Sequence, residues 1–152
     1  MATTTEDLKS KANAAYSKKD WREAVRLFAD VVEQEQDGPA KATLLAKRST
    51  AYVKLEDYSS ALADAERAVE ADPSAALAQI RIAEAALKLK EFEKAEKAYV
   101  RAGELATDTS SRKRYKEALK SIQRAARHEA TTQEKSAPPH PRPRQARRQP
   151  AM

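Results

Sequence analysis

The sequence predicts an all-α fold, a stack of three helix hairpins closed by a seventh helix, and three observations carry that expectation. Helix formers such as Ala, Lys, Glu, Leu and Arg dominate the 152 residues, whereas glycine occurs only at positions 38 and 103. One design recurs three times: an Ala-rich stretch, a turn with an aromatic residue, then a second stretch with alanine three residues after the aromatic. Its anchors are Trp21 with Ala24, Tyr58 with Ala61, and Phe92 with Ala95. Apolar residues also repeat at helical spacing within each half, as in Leu8, Ala12 and Ala15, or Val25, Phe28 and Val32.

The aromatic anchors lie 37 and then 34 residues apart, and the surplus in the first interval is expected as an enlarged loop at Gln36-Asp37-Gly38-Pro39. Six helices follow, at about 5–18, 21–35, 40–55, 58–71, 75–89 and 92–106. Asp20 with Glu23 has capping-box spacing, Asp57 precedes Tyr58, and Pro73-Ser74 is read as ending one helix and beginning the next. The three repeats then occupy about 5–38, 42–75 and 76–109 within a unit spanning 5–107. Residues 110–128 form a seventh, capping helix whose Tyr115, Leu119, Ile122 and Ala126 share one stripe among charged neighbours. Residues 129–152, with five prolines and no apolar period, are expected to be a disordered, basic, Pro/Arg-rich tail.

Charge is divided unevenly along the chain. Residues 1–108 carry 17 basic and 20 acidic side chains, while residues 109–152 carry 12 and 3, so the net charge of +6 belongs to the C-terminal third. Nucleic-acid or anionic-membrane binding would have to rest on Arg112-Lys113-Arg114 and on Arg142, Arg144, Arg147 and Arg148. No aromatic residue lies among those tail arginines to stack on bases, so a solvated tail is the main expectation, and a basic tail that binds nucleic acid or anionic membrane stays as an alternative function.

Several chemistries are disfavoured. There is no cysteine, which excludes disulfides and thiolate chemistry. His128 and His140, the only histidines, fall at the end of the capping helix and in the tail, and two isolated glycines build no phosphate loop. No enzyme activity, cofactor, metal or small-molecule substrate is expected. No stretch approaches the roughly 18 apolar residues of a membrane span. The reading is a cytoplasmic monomer, with a nuclear address open through the basic tail.

The repeat residues resemble the tetratricopeptide-repeat (TPR) family. Leu45, Tyr52, Tyr58, Ala61, Ala68 and Pro73 carry the likeness in the second repeat; Ile82, Ala83, Phe92, Ala95, Tyr99 and Ala102 in the third; and Leu8, Ala12, Trp21, Ala24 and Phe28 in the first. The resemblance implies a right-handed superhelical stack in which the first helix of each hairpin lines a concave groove. Small residues have a physical reason here: Ala12, Ser49 and Ala83 let paired helices approach closely, as do Ala24, Ala61 and Ala95 from the other side. Trp21, Tyr58, Phe92 and Tyr99 are read as core packing.

Residues facing the groove should then include Lys9, Asn13 and Tyr16, then Lys47, Thr50 and Lys54, then Leu77, Arg81, Glu84 and Lys88. Five cations stand against one acid, a pattern suited to an acidic extended peptide. The pattern resembles the carboxylate clamp of TPR co-chaperones. Those proteins hold the Glu-Glu-Val-Asp tails of the seventy- and ninety-kilodalton heat-shock chaperones through Lys and Asn on the first helix, Asn on the third, and Lys and Arg on the fifth. Lys9, Asn13 and Arg81 match; Lys47 replaces the third-helix asparagine and Leu77 the fifth-helix lysine. The resemblance implies a protein-interaction adaptor whose peptide contacts are Lys9, Asn13, Lys47, Arg81, Tyr16, Lys54 and Lys88. Another acidic peptide is the alternative ligand.

Overall fold

A computed structural model describes residues 2–139. Within them the chain forms seven helices: α1 (Thr5–Ser17), α2 (Trp21–Gln34), α3 (Gly38–Lys54), α4 (Tyr58–Ala71), α5 (Ala76–Lys88), α6 (Phe92–Leu105) and α7 (Thr109–Ser136). They stack as antiparallel pairs, α1 with α2, α3 with α4 and α5 with α6, followed by α7 against α6.

Each pair is joined by the same turn. Lys19, Glu56 and Lys90 adopt a left-handed backbone, with φ of 61°, 61° and 59°. The next amide N–H bonds back five residues, from Asp20 to Ala15, Asp57 to Tyr52 and Glu91 to Ala86. These 6→1 bonds close the first helix and aim the chain into the second. Asp20 and Asp57 then cap α2 and α4 by accepting from the Glu23 and Ser60 amides. The reciprocal capping box forms at α1, between Thr4 and Asp7.

Small residues set the closeness of each pair. Ala12, Ala24, Ser49, Ala61, Ala83 and Ala95 are all fully buried, and the Ser49 hydroxyl donates to the Ala61 carbonyl at 2.8 Å. Larger side chains fill the space between pairs. Phe28, Val31, Val32 and Leu45 pack in one cluster with Ala68 and Ala78; Ala61, Ala65, Ile82, Ala95 and Ile122 pack in a second. One ionic contact is buried in this stack. Arg48 of α3 grips Asp64 of α4 through two bonds of 2.5 and 2.6 Å, with Arg48 8% and Asp64 4% exposed. Burial opposes the Arg48 charge, and the Asp64 carboxylate outweighs that opposition and raises its pKa further.

Three boundaries differ from expectation. The surplus residues of the first interval lengthen α3 to 17 residues in place of an enlarged loop. Asp37 caps that helix by accepting from the Ala40 amide, and Pro39 sits in its first turn where no amide is required. Glycine is needed at position 38, since a Cβ there would lie 2.5 Å from the Ala71 carbonyl oxygen. Ser74 does not cap α5; it bonds back to Asp72, and α5 begins after Ala75 without a side-chain cap. Finally, α7 continues to Ser136, eight residues into the expected tail. Residues 129–136 hold no proline or glycine to stop it, and Lys90 bonds Glu129 at 3.0 Å. The rest of the expected tail, from residue 140, lies outside the described residues.

Removing one partner of the buried pair leaves an uncompensated charge. Asp64→Ala is therefore expected to lower the unfolding free energy, measured by urea denaturation, by about 3–5 kcal/mol. The joint Arg48→Met, Asp64→Leu replacement should cost clearly less.

Candidate functional site

The first helices of the hairpins bring several of the expected groove residues into contact. Lys9 and Asn13 lie one turn apart on α1 and so share a face. The Lys47 ammonium of α3 donates to Asn13 Oδ1 at 2.6 Å, bridging two successive repeats. That bond occupies the one side-chain acceptor of Asn13 and leaves its amide N–H donors for another group. α5, which carries Leu77 and Arg81, packs beside α3.

Two of the groove cations are already engaged by acids of the same chain. Lys9 meets Glu35 at 2.6 Å and Glu6 at 3.8 Å. Arg81 bonds Glu84, one turn on, at 2.6 Å. The Lys9 hydrogen bond, with help from the Asp37 amide, holds the Glu35 carboxyl below its usual range, and the same bond raises the Lys9 pKa. Arg81 is less completely satisfied: its Nε–H is buried with no partner among the described residues. A guanidinium offers five N–H donors, so Arg81 retains unused hydrogen-bonding capacity.

The remaining candidates divide. Tyr16 packs edge-on against Trp21 and Phe28, with ring centroids at 5.5 and 6.2 Å, and is only partly open to solvent. Lys54 and Lys88 are exposed in the last turns of α3 and α5, without an ion pair among the described residues. Leu77 is 46% exposed in the first turn of α5.

Glu35 is the residue that sequence reading missed. The signal was present in the antiparallel geometry of a hairpin, which sets the end of α2 beside the start of α1. Thr5 bonding Gln34 at 2.5 Å shows the same juxtaposition. The groove is thus less basic than a count of its first helices implies. Among the described residues, no cluster of three or more His, Asp or Glu side chains is arranged to hold a metal ion, and no helix is long and apolar enough to cross a membrane.

Known proteins share the sequence pattern and the fold of this chain. Residues 46–109 match the sequence profile described as Tetratricopeptide repeat. The protein SGT1 homolog of Oryza sativa subsp. japonica is 40% identical over 99 residues, covering 64% of this chain and 26% of that protein. Heat shock protein STI1 of Saccharomyces cerevisiae is 33% identical over 124 residues, covering 82% and 20%. The chain thus spans about a fifth to a quarter of the length of these relatives. Among solved structures, the first TPR of Spaghetti (RPAP3), bound to HSP90 peptide SRMEEVD, superposes with a TM-score of 0.70 at 26% identity, covering 80% of this chain and 91% of that one. The fold, the matched residues and these relatives together identify the chain as a tetratricopeptide-repeat domain similar to those of the carboxylate-clamp co-chaperones.

Proposed function

We propose that the chain is a non-catalytic, cytoplasmic adaptor module that holds the acidic C-terminal tail of a seventy- or ninety-kilodalton heat-shock chaperone in its groove. The observation that carries this reading is the convergence of Asn13 and Lys47 from successive repeats at 2.6 Å, with Arg81 on the next first helix holding an unpartnered donor. The HSP90 peptide bound by the first TPR of Spaghetti ends in the same kind of acidic sequence and supports the ligand class. Lys9, Asn13, Lys47 and Arg81 carry the carboxylate contacts. Lys54 and Lys88 add long-range attraction, and Tyr16 contributes its open edge.

The paired acids shape how this site works. A ligand carboxylate arriving at Arg81 or Lys9 displaces Glu84 or Glu35, so part of each new charge-assisted bond replaces an existing one. Affinity rests on the difference. Leu77 favours a second reading, in which the groove prefers another acidic peptide with an apolar residue placed against this exposed side chain.

Titration with a free-carboxylate Glu-Glu-Val-Asp peptide should show at least about tenfold tighter binding than its amidated form, since one charge-assisted bond is worth about 1.5–3 kcal/mol. Equal affinities would exclude the carboxylate reading. Leu77→Lys should tighten the chaperone peptide, and Glu84→Gln should do the same by freeing Arg81; a loss in both variants selects the second reading.

The Lys9–Glu35 pair predicts a pH effect of known sign. Glu35 has its folded pKa depressed from 4.5, so its contribution is present above that value and is lost as pH falls through the lower folded pKa. Thermal unfolding of the wild type should therefore exceed that of Glu35→Gln above about pH 4.5, and the gap should close in acid.

A further inference from the structure

The repeat register leaves part of the α6–α7 seam open. Each second helix reaches back to the second helix of the preceding pair. Arg67 of α4 bonds Glu33 of α2 at 3.0 Å, and Lys94 of α6 bonds Glu66 of α4 at 3.0 Å. Counted from the aromatic anchors, Glu104 is the counterpart of Glu33, and Val100 is the counterpart of Glu66. Among the described residues α6 is followed only by α7, which packs against it, so these two positions have no following second helix to touch in the third repeat. α7 is the last helix among the described residues.

What occupies that place is an open, mainly apolar hollow of about 300 Å³ along the α6–α7 seam. Tyr99, Val100, Gly103, Tyr115 and Leu119 line it, with Glu104, Arg112 and Lys116 at its edge. Val100 is 48% exposed. Gly103 is the counterpart of Val32, which is fully buried, and of Val69, which packs on both core clusters. At Gly103 a Cβ would find nothing within 4 Å. A glycine inside a helix is unfavourable relative to alanine. No close approach requires this one, and its effect is to deepen the hollow.

We infer that the α6–α7 seam is a vacant helix slot that receives an acidic amphipathic helix from another protein. Shape follows from the repeat, because the hollow lies on the side where a following second helix reaches back in the first two pairs. Sign follows from charge. Residues 109–127 of α7 carry seven cations and one acid, and Glu104 is engaged by Arg101 at 2.9 Å. A second copy docking through its own α7 would bring like charges together, as would residues 140–152, which hold four arginines and no acid. An incoming helix with leucines on one stripe and glutamates on its flanks buries Val100 and Leu119 and meets Arg112 and Lys116.

The test uses the full 152-residue chain, isotope-labelled for amide NMR. The probes are two 18-residue stapled helices with leucines at i, i+3, i+4 and i+7 spacing, one with glutamate and one with lysine at every other position. The inference expects the glutamate helix to bind and to shift the Gly103 and Leu119 amides. Gly103→Trp should weaken it at least tenfold while leaving the melting temperature unchanged or raised, and Lys116→Glu should weaken it at least threefold. Equal binding by the lysine helix, unchanged affinity in both variants, or a concentration-dependent dimer that Gly103→Trp dissolves would each overturn the proposal.

Discussion

Helix pairs of this kind hold together only where their backbones come close, and fully buried alanine or serine at the contact makes that approach possible. Ala12 and Ala24, Ser49 and Ala61, Ala83 and Ala95 serve the three pairs in turn. Everything else depends on the distance they set. The Ser49 hydroxyl reaches the Ala61 carbonyl, Arg48 reaches Asp64 across the same pair, and the large side chains Phe28, Leu45 and Ile122 fill the gaps between layers. A larger residue at Ser49 would push α3 from α4 and break the hydrogen bond and the ion pair together.

The same stacking sets the first helices side by side and so creates a surface no single helix has. Asn13 and Lys47 are 34 positions apart in sequence and in contact in space. Arg81 follows from the next pair. The antiparallel return of α2 also carries an acid toward that surface, setting Glu35 beside Lys9. The groove is therefore a balanced set of charges. On the proposed reading, a ligand carboxylate would have to compete there with Glu35 and Glu84, which already engage Lys9 and Arg81.

Much of the fold was legible because its signals are local. The aromatic-alanine spacing marked three second helices, and six of the expected spans agree with the observed helices to within two residues. Ala12, Ser49 and Ala83 are buried as their spacing required. The failures share a cause in contacts made by folding. Nothing in the sequence near Gly38 announces that the Ala71 carbonyl lies above it, and that contact explains a glycine at the start of a long α3. Polar composition suggests a helix end after His128, but Thr131 and Thr132 bond back to the Arg127 and His128 carbonyls and the helix continues. For the proposed groove residues, periodicity gives the helix faces of α1, α3 and α5, and the family resemblance supplies which helices line the groove. Glu35 was not legible in this way, because it lies just past the end of α2, where helical periodicity assigns no face.

The central claim is that Arg81 recognises a terminal carboxylate. A double-mutant cycle tests it most directly, crossing Arg81→Ala with amidation of the peptide and measuring the four affinities by calorimetry. The account predicts a coupling energy of about 1.5–3 kcal/mol, with amidation costing little once Arg81 is gone. Additive losses would place the carboxylate elsewhere and contradict it.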